Sequence, residues 1–163
     1  MSISTSDLYD AHGGDVMVCD VQFRSFGRID NFLGRCSTVN IYEGFRTLKE
    51  ALEEPGEERI LVVDGAGSLR FALFGDRMAE LALRNGWAGV IVFGAVRDSQ
   101  ALAALDLGLK ALGTAARRPS PDISGVRDVA VTIGGATFRP GDWVYADADA
   151  VLVTGQRIHG PDL

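Results

Sequence analysis

A chain of 163 residues that is 47% apolar and 23% charged has the length and composition of one globular domain with a sizeable core, which excludes a disordered or fibrous protein. Its net charge of −6, from 22 acidic against 16 basic residues, argues against sequence-independent nucleic-acid binding, although an acidic surface can still meet a basic protein partner. No apolar run is long enough to cross a bilayer, and the N-terminal stretch lacks the basic flank and apolar core of a secretory signal, so the cytoplasm is the expected compartment.

In chain order, Ser6 to Ala11 predicts a short helix capped by Ser6 or Thr5. Cys36 to Tyr42 alternates as a strand, and Phe45 to Glu53 reads as an amphipathic helix ending in the turn Glu54-Pro55-Gly56-Glu57. Ile60 to Val63 is a buried strand running into the loop Asp64-Gly65-Ala66-Gly67-Ser68. Asp76 to Asn85 predicts a helix that Gly86 ends. Val90 to Phe93 is a second buried strand, followed by Gly94-Ala95-Val96-Arg97-Asp98. A short helix is expected over Ser99 to Leu105, and a short strand over Lys110 to Gly113. Arg117 to Arg127, with Pro119 and Pro121, is the one long loop. Val129 to Ile133 and Ala136 to Phe138 form a hairpin about Gly134-Gly135, and Asp142 to Ala146 and Val151 to Thr154 are two more strands. No repeat or linker divides the chain, so residues 1–163 read as a single mixed α/β domain with an all-β C-terminal third.

Twenty residues separate Asp76 from Arg97, the length of one helix, a turn and a strand, so both can return to one edge of a sheet. A helix N-terminus offers free N–H groups to an anion. An arginine forks onto a carboxylate or a developing oxyanion, and a neighbouring aspartate, here Asp98, can hold a hard divalent cation. Together these parts suit a small 2-oxo acid bound through a metal. Each part also has a plainer reading: Asp at a helix start is a common cap, and Arg97-Asp98 can be a surface pair on a loop.

Other motifs carry less. Gly65-Ala66-Gly67 follows a strand, but the dinucleotide fingerprint needs a third glycine where Arg70 stands, so a tight turn is expected. Lys49 and Lys110 are the only lysines available for a Schiff base, and neither has an acid–base partner nearby in sequence. Cys19 and Cys36 are expected as packed thiols, and Trp87 and Trp143 as core or interface aromatics. His12 and His159 lie at opposite ends, with no zinc-type ligand cluster, so any metal is held mainly by oxygen.

Several segments resemble one family in combination. They are Val62-Val63-Asp64-Gly65-Ala66-Gly67-Ser68, Gly75-Asp76, Asn85-Gly86-Trp87-Ala88-Gly89 and Gly94-Ala95-Val96-Arg97-Asp98. Further segments are Ala111-Leu112-Gly113-Thr114, the run from Gly134 to Asp142, and Tyr145-Ala146-Asp147. Over residues 5 to 154 the chain is similar to the RraA-like family, which contains the regulator of ribonuclease E activity A and the metal-dependent 4-hydroxy-4-methyl-2-oxoglutarate aldolases. The resemblance implies a swivelling β/β/α fold assembled as a ring-shaped homotrimer, with active sites at subunit interfaces. It implies that Gly75, Asp76, Arg77 and Met78 turn backbone N–H groups toward the substrate carboxylate. Arg97 would contact the substrate oxygens, and Asp98 would anchor Mg²⁺ or Mn²⁺.

The implied activity is a lyase working through a pyruvate enolate, with Arg97 stabilising the enolate. Its reactions would be cleavage of 4-hydroxy-4-methyl-2-oxoglutarate, in which Asp76 takes the C4 hydroxyl proton through a water, and decarboxylation of oxaloacetate. The longer aldolases of the family add C-terminal sequence and an acidic contribution from the adjacent subunit. That element has no match here, which makes decarboxylation the firmer expectation. The alternative implied by the family is a non-catalytic protein that inhibits ribonuclease E or an associated helicase.

Overall fold

Strand β3 (Phe32–Asn40) organises the molecule because it serves two kinds of sheet at once. Phe32 to Arg35 pair antiparallel with β13 (Trp143–Ala146), while Cys36 to Asn40 pair parallel with β4 (Ile60–Asp64). From β4 the sheet continues in parallel through β6 (Gly89–Phe93) to β8 (Gly108–Ala111), and β2 (Arg24–Ser25) closes that edge antiparallel. From β13 it continues antiparallel through β14 (Val151–Thr154) to β1 (Met17–Cys19). Short β10 (Val126–Arg127) pairs with the end of β3. The computed structural model describes residues 2–163.

The parallel strands are buried on both faces, which is why they read as unbroken apolar runs. Val39, Leu61, Val63, Val90, Val92 and Leu109 face α2 (Arg46–Glu53), α3 (Asp76–Arg84) and α4 (Ser99–Leu102). On α2 the core residues Leu48, Ala51 and Leu52 repeat at helical spacing, and the exposed side carries the pairs Arg46–Glu50 and Lys49–Glu53. The alternate residues Ile60, Val62 and Ile91 point the other way. There they meet the hairpin β11 (Val131–Ile133) and β12 (Ala136–Phe138), together with Val144, Ala146 and Val153 of the antiparallel wing. The result is one mixed α/β domain, with helices on one face of the main sheet and β-structure on the other. Among the described residues no helix is long and apolar enough to cross a membrane.

A second, smaller parallel sheet lies beyond the first: β5 (Ala72–Phe74), β7 (Ala95–Val96) and β9 (Gly113–Thr114). Only Gly94 separates β6 from β7, and only Leu112 separates β8 from β9, whose two segments are tied by Leu112 N–H donating to the Gly94 carbonyl at 3.0 Å. Each pair is thus one extended segment that leaves the main sheet and pairs again beyond its edge.

The elements differ from the sequence expectation in several places. The first helix, α1 (Thr5–His12), is capped by Ser4, whose hydroxyl accepts the Asp7 N–H at 3.2 Å. Thr5 is unavailable as a cap because Asp147 takes both its N–H and its hydroxyl. The strand expected at Cys36 begins at Phe32 and stops before Tyr42, where the backbone turns and Glu43 adopts φ +49°. The strand expected over Lys110 to Gly113 is two strands, and the helix after Asp98 ends at Leu102. The turn Asp64–Ser68 is as expected: Ala66 and Gly67 have φ +58° and +73°, and Asp64 Oδ1 accepts the Ala66 N–H. Gly86 ends α3 at φ +80°, Trp87 is buried, and Cys19 and Cys36 are buried free thiols.

Candidate active site

The small sheet explains how two distant segments meet. Because β5 and β7 are parallel neighbours, the residues after Phe74 lie beside those after Val96. Arg97 N–H donates to the Phe74 carbonyl at 2.9 Å, which locks the two exits together. Gly75 and Asp76 therefore sit against Arg97 and Asp98, at the edge where ligands of open α/β sheets gather.

Gly75 is the N-cap of α3 and has no side chain with which to satisfy the helix. Asp98 does part of that work from outside: its Oδ2 accepts the Asp76 N–H at 3.3 Å. A Cβ on Gly75 would stand 2.7 Å from that oxygen and 3.3 Å from Arg97 Cγ, so any larger residue would displace the Asp98 carboxylate from this position. The N–H groups of Arg77 and Met78 have no side-chain cap among the described residues, which leaves the positive end of α3 facing open space. Asp76 is thus the first helical residue and not the cap, so its carboxylate is not committed to its own helix.

Asp98 adopts φ +62°, ψ +38°, the left-handed region that an aspartate enters only at a cost. That backbone turns its carboxylate back over Gly75, with Arg97 Nε 4.0 Å from the same oxygen. Arg97 and Asp98 remain about two-fifths exposed. They are within reach of a ligand, where a wholly buried ion pair would not be.

These residues line one cleft of about 630 Å³, which contains Gly75, Asp76, Arg77, Met78, Arg97 and Asp98. The structure thus brings together every site residue expected from the sequence. It adds Phe45 and Arg118, which the sequence did not single out, and Lys49, which the sequence raised only as a possible Schiff-base lysine. The Arg118 guanidinium lies over the Phe45 ring, 5.0 Å from its centroid. Lys49 Nζ is held by Glu53 at 3.4 Å. The signal for Arg118 was a loop with no periodicity, and its neighbour Arg117 reaches the site only through a carbonyl that accepts the Ala72 N–H.

Lys110 lies elsewhere. It is buried, its Nζ contacts Ser25 Oγ at 3.0 Å, and burial pulls its pKa down against the opposing pull of Asp147 and Asp30. His159 is also away from the cleft, with Nδ1 at 2.8 Å from the Tyr145 hydroxyl.

The donor set decides which cation the cleft can accept. Among the described residues no group of three or more His, Cys, Asp or Glu side chains forms a cage. Asp98 and Asp76 are the carboxylates of the cleft. Mg²⁺ and similar cations keep several waters and take one or two carboxylates plus substrate oxygens, so a shared cation fits this site and a closed zinc-type centre does not.

The Aldolase/RraA model of the RraA-like family matches residues 5–153. The chain belongs to the RraA-like family. A relative from Alkalilimnicola ehrlichii, provisionally named a 4-hydroxy-4-methyl-2-oxoglutarate aldolase, is 48% identical over 94% of this chain and 95% of that protein. The solved structure of the RNA-processing inhibitor RraA from Thermus thermophilis superposes with a TM-score of 0.93 at 36% identity, covering 99% of this chain and 98% of that one. A structure from Geobacillus kaustophilus HTA426, described as an S-adenosylmethionine:2-dimethylmenaquinone methyltransferase, gives 0.92 at 41% identity, over 96% and 97%. Three different activities are thus named on one RraA-like backbone, so the fold alone does not choose among them and the site must.

Proposed function

We propose that this protein is a divalent-metal-dependent carbon–carbon lyase that cleaves 4-hydroxy-4-methyl-2-oxoglutarate and decarboxylates oxaloacetate through one pyruvate enolate. The observation that carries this reading is the meeting of Arg97, Asp98 and the free N–H groups at the start of α3 in a single cleft. The N–H groups of Arg77 and Met78 receive the 2-oxo acid carboxylate. Asp98 is the residue that would hold Mg²⁺ or Mn²⁺, beside Asp76. A divalent cation, when bound, supplies Lewis-acid polarisation of the 2-oxo group.

Arg97 aims its guanidinium at the oxygen on which negative charge develops as the C3–C4 bond breaks. In aldol cleavage Asp76, through a water, takes the proton of the C4 hydroxyl. C4 becomes the carbonyl of a second pyruvate, and the bonding pair passes to the enolate. In decarboxylation the same pair is released as CO₂ departs, with no hydroxyl proton to remove. Protonation at C3 then gives pyruvate in both reactions. The Alkalilimnicola relative is matched over 95% of its length, so the aldolase name is carried by a protein of this size, which supports aldol cleavage by a short chain.

The ring-shaped homotrimer belongs to the same reading, and light scattering tests it by the native mass. The reaction itself is tested by measuring pyruvate release from both substrates with Mg²⁺ and again after chelation. Chelator-sensitive release is expected, and a borohydride-trapped adduct on Lys49 would instead point to a Schiff base. A second reading, a protein inhibitor of ribonuclease E, is favoured by the close match to the Thermus RNA-processing inhibitor. A pull-down of ribonuclease E with the Asp98→Ala variant separates the two, since docking to a protein does not require a metal-binding carboxylate in the cleft.

A further inference from the structure

We propose that Arg118 binds the carboxylate on the far side of the scissile bond and so favours aldol cleavage over decarboxylation at the same site. The inference rests on the lyase reading above. On that reading the carboxylate beside the 2-oxo group is received by the start of α3, yet the cleft extends to Phe45 and Arg118 and has more room than a three-carbon acid fills.

Arg118 is built to be available. Its guanidinium is supported by the Phe45 face, and Phe45 itself is buried. The backbone on either side is fixed, by the Arg117 carbonyl accepting the Ala72 N–H at 2.8 Å and by buried Pro119. Among the described residues no carboxylate lies within ion-pair distance of Arg118, whereas Lys49 in the same cleft is paired with Glu53. A supported guanidinium with its N–H fork free is suited to bidentate capture of a carboxylate.

The two reactions treat that carboxylate differently. In aldol cleavage it stays ionised from substrate to the second pyruvate, so a cation holding it stabilises ground state and transition state alike. In decarboxylation the far carboxylate of oxaloacetate loses its charge as it becomes CO₂. A cation holding it there stabilises the bound substrate more than the transition state, which slows the bond-breaking step. Arg118 therefore aids one reaction and restrains the other.

The test measures kcat and KM of wild type, Arg118→Ala and Arg118→Lys with both substrates in Mg²⁺, with melting temperatures alongside. Loss of a charge-assisted pair predicts that Arg118→Ala lowers kcat/KM for the aldol substrate roughly 10- to 100-fold, mostly through KM. For oxaloacetate the same variant is expected to raise KM and kcat together. Arg118→Lys should recover part of the aldol loss. A parallel fall of kcat for both substrates, or no change for either, at unaltered melting temperature overturns the assignment while leaving the lyase reading in place. A wild-type protein that releases pyruvate from neither substrate overturns both.

Discussion

Asp147 follows β13 and Asp98 follows β7, both at strand ends, and the molecule uses the two carboxylates in opposite ways. Asp147 is buried and accepts from the Thr5 N–H, the Thr5 hydroxyl, and the N–H groups of Asp149 and Ala150, at 2.7 to 3.1 Å. Burial pushes its pKa up, but the hydrogen bonds from Thr5, Asp149 and Ala150 together outweigh that and hold it below its ordinary value. It ties the first helix to the last hairpin and has little left to offer a ligand. Asp98 is two-fifths exposed, accepts one long bond from Asp76, and stands on a left-handed backbone beside a glycine. A satisfied carboxylate holds a fold together, whereas a partly satisfied one keeps hydrogen-bonding capacity that the fold does not use.

Substitutions can break that contrast. On the proposed reading, Asp98→Ala should bring pyruvate release down to the level without enzyme while the melting temperature holds, because Asp98 is two-fifths exposed and accepts only one long hydrogen bond. Arg97→Ala should lower kcat by about 10²-fold or more if its guanidinium meets the enolate oxygen. Asp147→Ala should do the reverse of Asp98→Ala. It leaves four donors without their acceptor and should cost about 2–3 kcal/mol in denaturant unfolding, while kcat of the folded protein is preserved.

Gly75→Ala sharpens the contrast further, since a Cβ would sit 2.7 Å from Asp98 Oδ2 and push that carboxylate out of position. Turnover should fall about tenfold with stability almost unchanged. The smallest effect is on pH. Asp147 has a depressed folded pKa, so its contribution is present above the unfolded carboxylate value and is lost as pH falls through the folded one. The stability gap between wild type and Asp147→Asn should therefore close as pH drops below about 4 in acid-unfolding curves.

The same contrast explains what the sequence revealed. The pair Asp76 and Arg97 was legible because one helix and one strand connect them, and their periodicity is local. The small sheet that joins their exits was not, since strands as short as Ala95–Val96 and Gly113–Thr114 have no pattern of their own. Thr5 and Asp147 meet across 142 residues, and no local signal announces a hydrogen bond at that separation. Phe32 to Arg35 join their strand only because β13 arrives from far along the chain. Arg118 entered the cleft for a similar reason: a loop without periodicity is held there by contacts distant in sequence, the Arg117 carbonyl accepting the Ala72 N–H and the Arg118 stack on Phe45.

The central claim is that this cleft stabilises a pyruvate enolate, and enolisation can be followed without any bond cleavage. Pyruvate incubated with the protein and Mg²⁺ in D₂O should lose its methyl proton signal by NMR at a rate proportional to enzyme. That exchange should vanish with chelator and in both Arg97→Ala and Asp98→Ala. Absence of catalysed exchange in the wild type, or exchange undiminished in the two variants, would contradict the account.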